Sequence, residues 1–166
     1  IGIAKKIIDK KLISEFNSFE NIYEKLKEIS VKESLELIKI NLNSLGIHHD
    51  HFVFESQLYK NNEIQDTVEK LKKKDLIYYG KIAAPKFKEE KNWKERKQLL
   101  FKSTLYGDDK DRPLQKDDSS WTYFAGDLAY HNNKIDRKFD ILINVLGADH
   151  AGYIKRIIAG VEALSN

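Results

Sequence analysis

Cysteine is absent from all 166 residues, so no disulfide framework, thiol nucleophile or Cys-ligated zinc or iron–sulfur centre can be built. Any metal would have to be held by His and carboxylates. Methionine is absent too. The chain opens at Ile1 in what reads as the middle of a helix, which a translation start cannot do, so an internal piece of a longer protein is expected. Long apolar runs are also missing. The longest, around Ile141 to Ala148, falls well short of the roughly 18 to 20 residues that a membrane span needs, and no signal-peptide pattern opens the chain. A cytoplasmic protein without a membrane partner is the expectation. Charge of one sign is scarce as well: 29 Lys and Arg against 26 Asp and Glu is too even a balance to argue nucleic-acid binding.

What is present is enough for a fold. With 41% hydrophobic and 11% aromatic residues, the chain carries too much apolar material for disorder despite a mean hydropathy of −0.57. A chain of this length buries roughly 70% of its unfolded surface.

Ile3, Ile7, Ile8 and Leu12 share one face of a predicted helix over 3–13. Ser30 and Glu33 form a capping signature ahead of Val31, Leu35, Ile38, Leu42 and Leu45, with Gly46 at the C-terminal cap, which predicts a helix over 31–45. Phe52 to Phe54 fit a short strand. Asn62 precedes a helix ending near Lys74, and Leu76 to Ile82 read as a strand with Gly80 as a turn or bulge. From Lys86 to Lys97 nine of twelve residues are charged, the mark of a solvated loop or helix face. Leu99 to Phe101 can form a strand. Gly107 to Ser120, rich in Asp and Ser, reads as a long loop of the kind that carries function. Trp121 to Phe124 resembles a strand and Ala125 to Lys134 a helix. Phe139 to Leu146 is a continuous apolar run typical of a buried parallel strand, and Ala151 to Leu164 an amphipathic helix. The alternation argues an α/β fold with a parallel sheet.

Chemistry concentrates near the end. Asp149 and His150 follow that apolar run through Gly147, at the carboxyl end of an expected strand and the start of a helix, where ligands of open α/β sheets bind. Asp149 can accept hydrogen bonds from hydroxyls such as those of a ribose, or simply cap the helix. Tyr123 and Asp127, four residues apart, can offer a ring and a carboxylate to one planar cation, or serve as a core aromatic and a partner of the helix dipole. His48, His49, Asp50 and His51 invite a metal site, yet four consecutive residues cannot all converge on one ion. The aspartates of Gly107–Arg112 lack the EF-hand spacing. No Walker loop, nucleophile elbow or dinucleotide fingerprint occurs.

Three separated segments carry a resemblance: Leu100-Phe-Lys-Ser-Thr-Leu-Tyr-Gly-Asp-Asp-Lys-Asp-Arg-Pro-Leu-Gln115, Thr122-Tyr-Phe-Ala-Gly-Asp-Leu-Ala-Tyr-His131 and Gly147-Ala-Asp-His-Ala-Gly-Tyr-Ile-Lys-Arg156. In this order they resemble the bacterial type of arginyl-tRNA synthetase, most densely over residues 98 to 157 and recognisably from Leu45 through Gly80. Ala151 stands where the family commonly has a second His, and Ser119 where it has Gly.

The resemblance implies a class I enzyme that activates arginine with ATP, assisted by magnesium in the full-length protein, and transfers it to tRNA. It implies a Rossmann-like parallel sheet with flanking helices and a connective insertion. Residues 1–166 would be a single piece of the catalytic domain, with 62–120 the insertion and 121–166 the C-terminal half of the core. By motif, Tyr123 and Asp127 would hold the arginine side chain, and Gly147, Asp149 and His150 the adenylate. The His-x-Gly-His and Lys-Met-Ser-Lys-Ser elements that stabilise ATP phosphates in this class are not in the sequence. The expectation is therefore no catalytic residue, no bound metal and no activity in this piece alone. The rival reading is a stand-alone module that binds an amino acid or tRNA without catalysis; a third, a His/Asp metal hydrolase, rests on the His48–His51 cluster.

Overall fold

The computed structural model describes residues 2–13, 18–81 and 97–165. It divides into two compact units, Ile1–Phe52 and Val53–Asn166. In the first, helix α1 (Gly2–Asp9) packs on the long helix α2 (Phe19–Ser44), and Lys6 pairs with Glu33. The α2 cap is Ser18, whose hydroxyl accepts the Asn21 N–H at 3.3 Å, and not Ser30. Ser30 sits mid-helix, its carbonyl bonded to the Ser34 hydroxyl. The stretch Phe19–Ile29 supplies Glu, Lys and Leu without a breaker, so propagation runs through an internal serine that could have capped. Gly46 takes the left-handed conformation expected of it, with φ +73°.

The second unit carries the rest. Phe52–Phe54 forms no strand; Phe54 is extended and caps a short helix α3 (Glu55–Lys60) that the apolar pattern did not announce. Helix α4 (Glu63–Lys73) lies where Asn62 placed it and buries Ile64, Val68 and Leu71. Strands β1 (Ile77–Lys81), β2 (Lys97–Phe101) and β3 (Arg112–Pro113) form an antiparallel sheet in that order. Gly80 is no bulge: it pairs in register with Gln98, and a Cβ there would lie 2.4 Å from the Tyr78 ring. Residues 82–96, including most of the charged stretch, lie outside the described residues.

Helices α5 (Tyr123–Asp136) and α6 (Ile154–Ser165) complete the core with α4, packing Leu128, Ala129, Ile157 and Ala163 against Leu71, Phe101 and Leu114. They cross closely enough that a Cβ on Gly160 would meet Leu128 Cδ2 at 2.1 Å. Trp121 makes one isolated bridge, to Gln115, in place of the expected strand. Thr122 starts α5 instead: its hydroxyl accepts the Ala125 N–H and donates to the Pro113 carbonyl at 2.9 Å. Between the bridge residues the chain turns tightly, and Ser119 adopts φ +62°, a left-handed conformation that glycine takes up more readily.

The parallel sheet does not appear. Phe139 to Leu146 makes no strand among the described residues, and Ile141, Ile143 and Val145 are 77%, 81% and 93% exposed. An apolar run reports that its faces want cover, but a strand also needs neighbours to accept its backbone hydrogen bonds. The three strands present pair with one another, and none of them pairs with this segment.

The expected long loop is held from inside. Arg112 donates from Nε and Nη2 to the two Asp108 oxygens at 2.6 and 2.7 Å, with side chains 7% and 0% exposed. Burial would push the Asp108 carboxyl up. The Arg112 guanidinium, the Asp109 N–H and the Ser103 hydroxyl outweigh it and hold the group well below the usual carboxylate range. Arg112 Nη2 also donates to the exposed Asp109 carboxylate, so Asp108→Asn removes the buried half of its counter-charge, and a loss of about 2–3 kcal/mol in unfolding free energy is expected by urea titration. A carboxyl depressed in the folded state adds stability above its ordinary value of 3.8 that fades as pH falls below it. The acid limb of the stability curve should therefore flatten in the variant.

Candidate functional site

A cleft of about 550 Å³ opens between the start of α5 and the turn that precedes α6. Tyr123, Asp127 and His150 all line it, so three of the residues singled out in sequence meet in one place. Tyr123 is the first residue of α5 and is 77% exposed, which removes the core-aromatic alternative. Lys116 places its ammonium 5.7 Å from the ring centroid. Because the helix begins at Tyr123, Asp127 falls beyond its first turn and is no cap of the dipole. The half-buried Asp127 carboxylate accepts a short hydrogen bond from the Tyr153 hydroxyl.

Gly147 and Asp149 stand beside the cleft and do not line it. Gly147 begins a 3₁₀ turn, Ala148–Tyr153, without a side-chain cap, so Asp149 is not the capping residue of the alternative reading. Its side chain is 83% exposed, and its Oδ1 lies 3.3 Å from His150 Nδ1. A Cβ on residue 147 would sit 2.5 Å from that same oxygen. Only glycine leaves the Asp149 carboxylate where it is.

Among the lining residues left unassigned in sequence are Glu55, His131 and Tyr153. Glu55 heads α3 and directs Oε1 toward Gly126, in contact distance of a Cβ built there. His131 is 8% exposed. Its Nδ1 lies 2.8 Å from the Asp127 carbonyl, which can only accept, so Nδ1 carries the proton. Its Nε2 is buried without a hydrogen-bond partner. Burial pushes its pKa down despite that carbonyl. Tyr153 is half-buried, and its phenol is pushed far up, first by burial and then by the Asp127 carboxylate. Its position three residues beyond His150, inside the third quoted segment, was the available signal. The histidine cluster gathers no metal-binding set: among the described residues no group of three His, Cys, Asp or Glu converges. His48 Nδ1 instead meets Asn43 Oδ1 at 3.0 Å.

No family model matches the sequence. The chain is 60% identical over 165 residues to an arginine–tRNA ligase of Pelagibacter ubique, 46% over 165 residues to one of Orientia tsutsugamushi and 49% over 171 residues to one of Ehrlichia ruminantium. The chain is homologous to a segment of the arginine–tRNA ligases. It spans 28–30% of the length of these relatives, while 99% of it is covered by each. A solved arginyl-tRNA synthetase from Campylobacter jejuni matches 99% of the chain and 32% of its own length, with a TM-score of 0.77 at 33% identity. The chain is a mixed unit of helices and a small antiparallel sheet, and no helix among its described residues is long and apolar enough to cross a membrane.

His131 gives the cleft a pH dependence. Held neutral by burial, it takes up its proton at lower pH in the folded than in the unfolded chain, so its stabilising share is complete above the ordinary value of 6.5 and falls away below it. Urea midpoints measured from about pH 5 to 7 should drop toward acid in the parent chain. In His131→Gln that slope should be shallower.

Proposed function

We propose that this chain is the part of an arginine–tRNA ligase that receives the arginine side chain and one edge of the adenylate. The whole protein would be a class I enzyme that joins arginine to tRNA with ATP. One observation carries the reading: Tyr123, Asp127 and His150, nominated by two motifs far apart in sequence, line a single cleft in a chain whose relatives are arginine–tRNA ligases.

Within this reading Asp127 accepts the guanidinium, Tyr123 lays its ring beside it, and Asp149 with His150 meets the ribose end of the nucleotide. A planar cation with several N–H donors is best met by a carboxylate in a partly desolvated cleft, which suits the half-buried Asp127. Magnesium would arrive with the ATP phosphates, and the described residues present no cluster that fits it. Phosphate stabilisation belongs to the two signature elements the sequence does not contain, so no catalytic group is assigned here. Phe139–Leu146, which forms no strand here, would become one in the whole protein, in a Rossmann-like parallel sheet whose other strands belong to regions of the relatives that this chain does not span. Residues 62–120 then form the connective insertion and 121–166 the later half of the core. A cytoplasmic location follows from the proposed role in charging tRNA.

The test uses the complete reading frame that contains this chain. Asp127→Asn keeps shape and removes charge, and arginine affinity should weaken about a hundredfold, a loss of about 3 kcal/mol, while ATP affinity changes little. Asp149→Ala should act on ATP instead. Normal arginine binding by Asp127→Asn, measured by calorimetry, would refute the assignment and favour a binding module of other specificity. The 166-residue chain alone should show no arginine-dependent ATP–pyrophosphate exchange; robust exchange by pure protein would overturn that expectation.

A further inference from the structure

Asp127 is gripped at both ends. His131 Nδ1–H holds its backbone carbonyl at 2.8 Å, and the Tyr153 hydroxyl donates to carboxylate Oδ2. A donor on Oδ2 fixes the rotation of the carboxyl group of Asp127, which lines the cleft, and leaves Oδ1 without a hydrogen-bond partner among the described residues, available to a ligand.

Tyr153 is itself held on several sides. Phe124 meets its ring edge-on at 6.5 Å, His150 does so at 6.4 Å, and the Arg156 guanidinium lies 4.5 Å from the ring centroid. Its neighbour His150 belongs to the same turn as Asp149. One side chain therefore touches the carboxylate of α5 and the turn that opens α6, the two ends of the site.

We infer that Tyr153 is a positioning residue, which aims the Asp127 carboxylate at the cationic side chain of the substrate and ties that aim to the Asp149–His150 turn. The assignment rests on Asp127 being the guanidinium acceptor. The pressure on the phenol, upward from burial and from Asp127, keeps it a donor throughout the neutral range. Without its hydroxyl, Oδ2 loses a partner, the carboxylate turns freely, and each bound arginine must order it anew.

Tyr153→Phe, Asp127→Asn and the double variant, made in the complete reading frame, separate the possibilities. The measurements are KM for arginine and for ATP in pyrophosphate exchange, kcat, and melting temperature. Tyr153→Phe should raise the arginine KM roughly tenfold, leaving the ATP KM and kcat within about twofold. The double variant should bind arginine no more weakly than Asp127→Asn, because Tyr153 acts only through that carboxylate. A merely structural tyrosine would lower melting temperature without this selectivity.

An unchanged arginine KM in Tyr153→Phe, additive losses in the double variant, or an equal rise in the ATP KM would each overturn the inference. If Asp127→Asn alone leaves arginine binding intact, the reading of the site fails and Tyr153 has nothing to aim. If only Tyr153→Phe is silent, the site stands and the positioning role falls. Should Tyr153→Phe not fold, Asp127→Glu serves, since it keeps the charge but moves the carboxylate off the Tyr153 hydroxyl. The same arginine-selective rise is expected there, and an unchanged KM overturns the role.

Discussion

The buried pair between Asp108 and Arg112 sets the frame on which the cleft stands. Arg112 pairs across the sheet with Phe101 at the centre of the core, and its guanidinium is held by Asp108 and Asp109. Pro113 follows directly, and its carbonyl receives the hydroxyl of Thr122, the residue that starts α5. Tyr123 and Asp127 inherit their places from that cap. A charge pair in a dry interior contributes little net stability compared with apolar packing, but it tolerates few alternative arrangements. Here the turn, the third strand and the start of α5 all follow from where one guanidinium can be neutralised.

Local rules read well where the chain supplies both halves of an interaction. Asn62 ahead of Ile64, Val68 and Leu71 gave α4 because the apolar stripe and its partners in α5 lie in the same chain. Gly46 was readable for the same reason, its left-handed turn being a property of a single residue. Ser30 misled because a capping signature is a permission and not a command: the helix ends where propagation fails, and nothing from Phe19 onward stops it. Phe139–Leu146 failed most instructively. Its hydrophobicity was read correctly, but a strand is a relation between segments, and no described strand pairs with it.

The site divides along the same line. Tyr123 and Asp127 were recognisable because one helical turn joins them, and the motif with Gly147, Asp149 and His150 because it is continuous. That Tyr153 reaches Asp127 across 26 positions could not be read from spacing, since no periodicity links a residue to one in another helix. The hidden acceptor on His131 is of the same kind, visible only once burial is known. Gly147 also gained its reason from the structure: its missing Cβ is space for the carboxylate two residues on.

The outward face of Phe139, Ile141, Ile143 and Val145 has a further consequence for handling this chain by itself. Alternate residues of an extended segment point the same way, so these side chains form a greasy ribbon, broken in charge only by Asp140 and free of proline and glycine. Such a ribbon with open backbone edges is a template for cross-β stacking between copies. Concentration-dependent turbidity is the outcome this exposed ribbon favours when the 166-residue chain is prepared by itself.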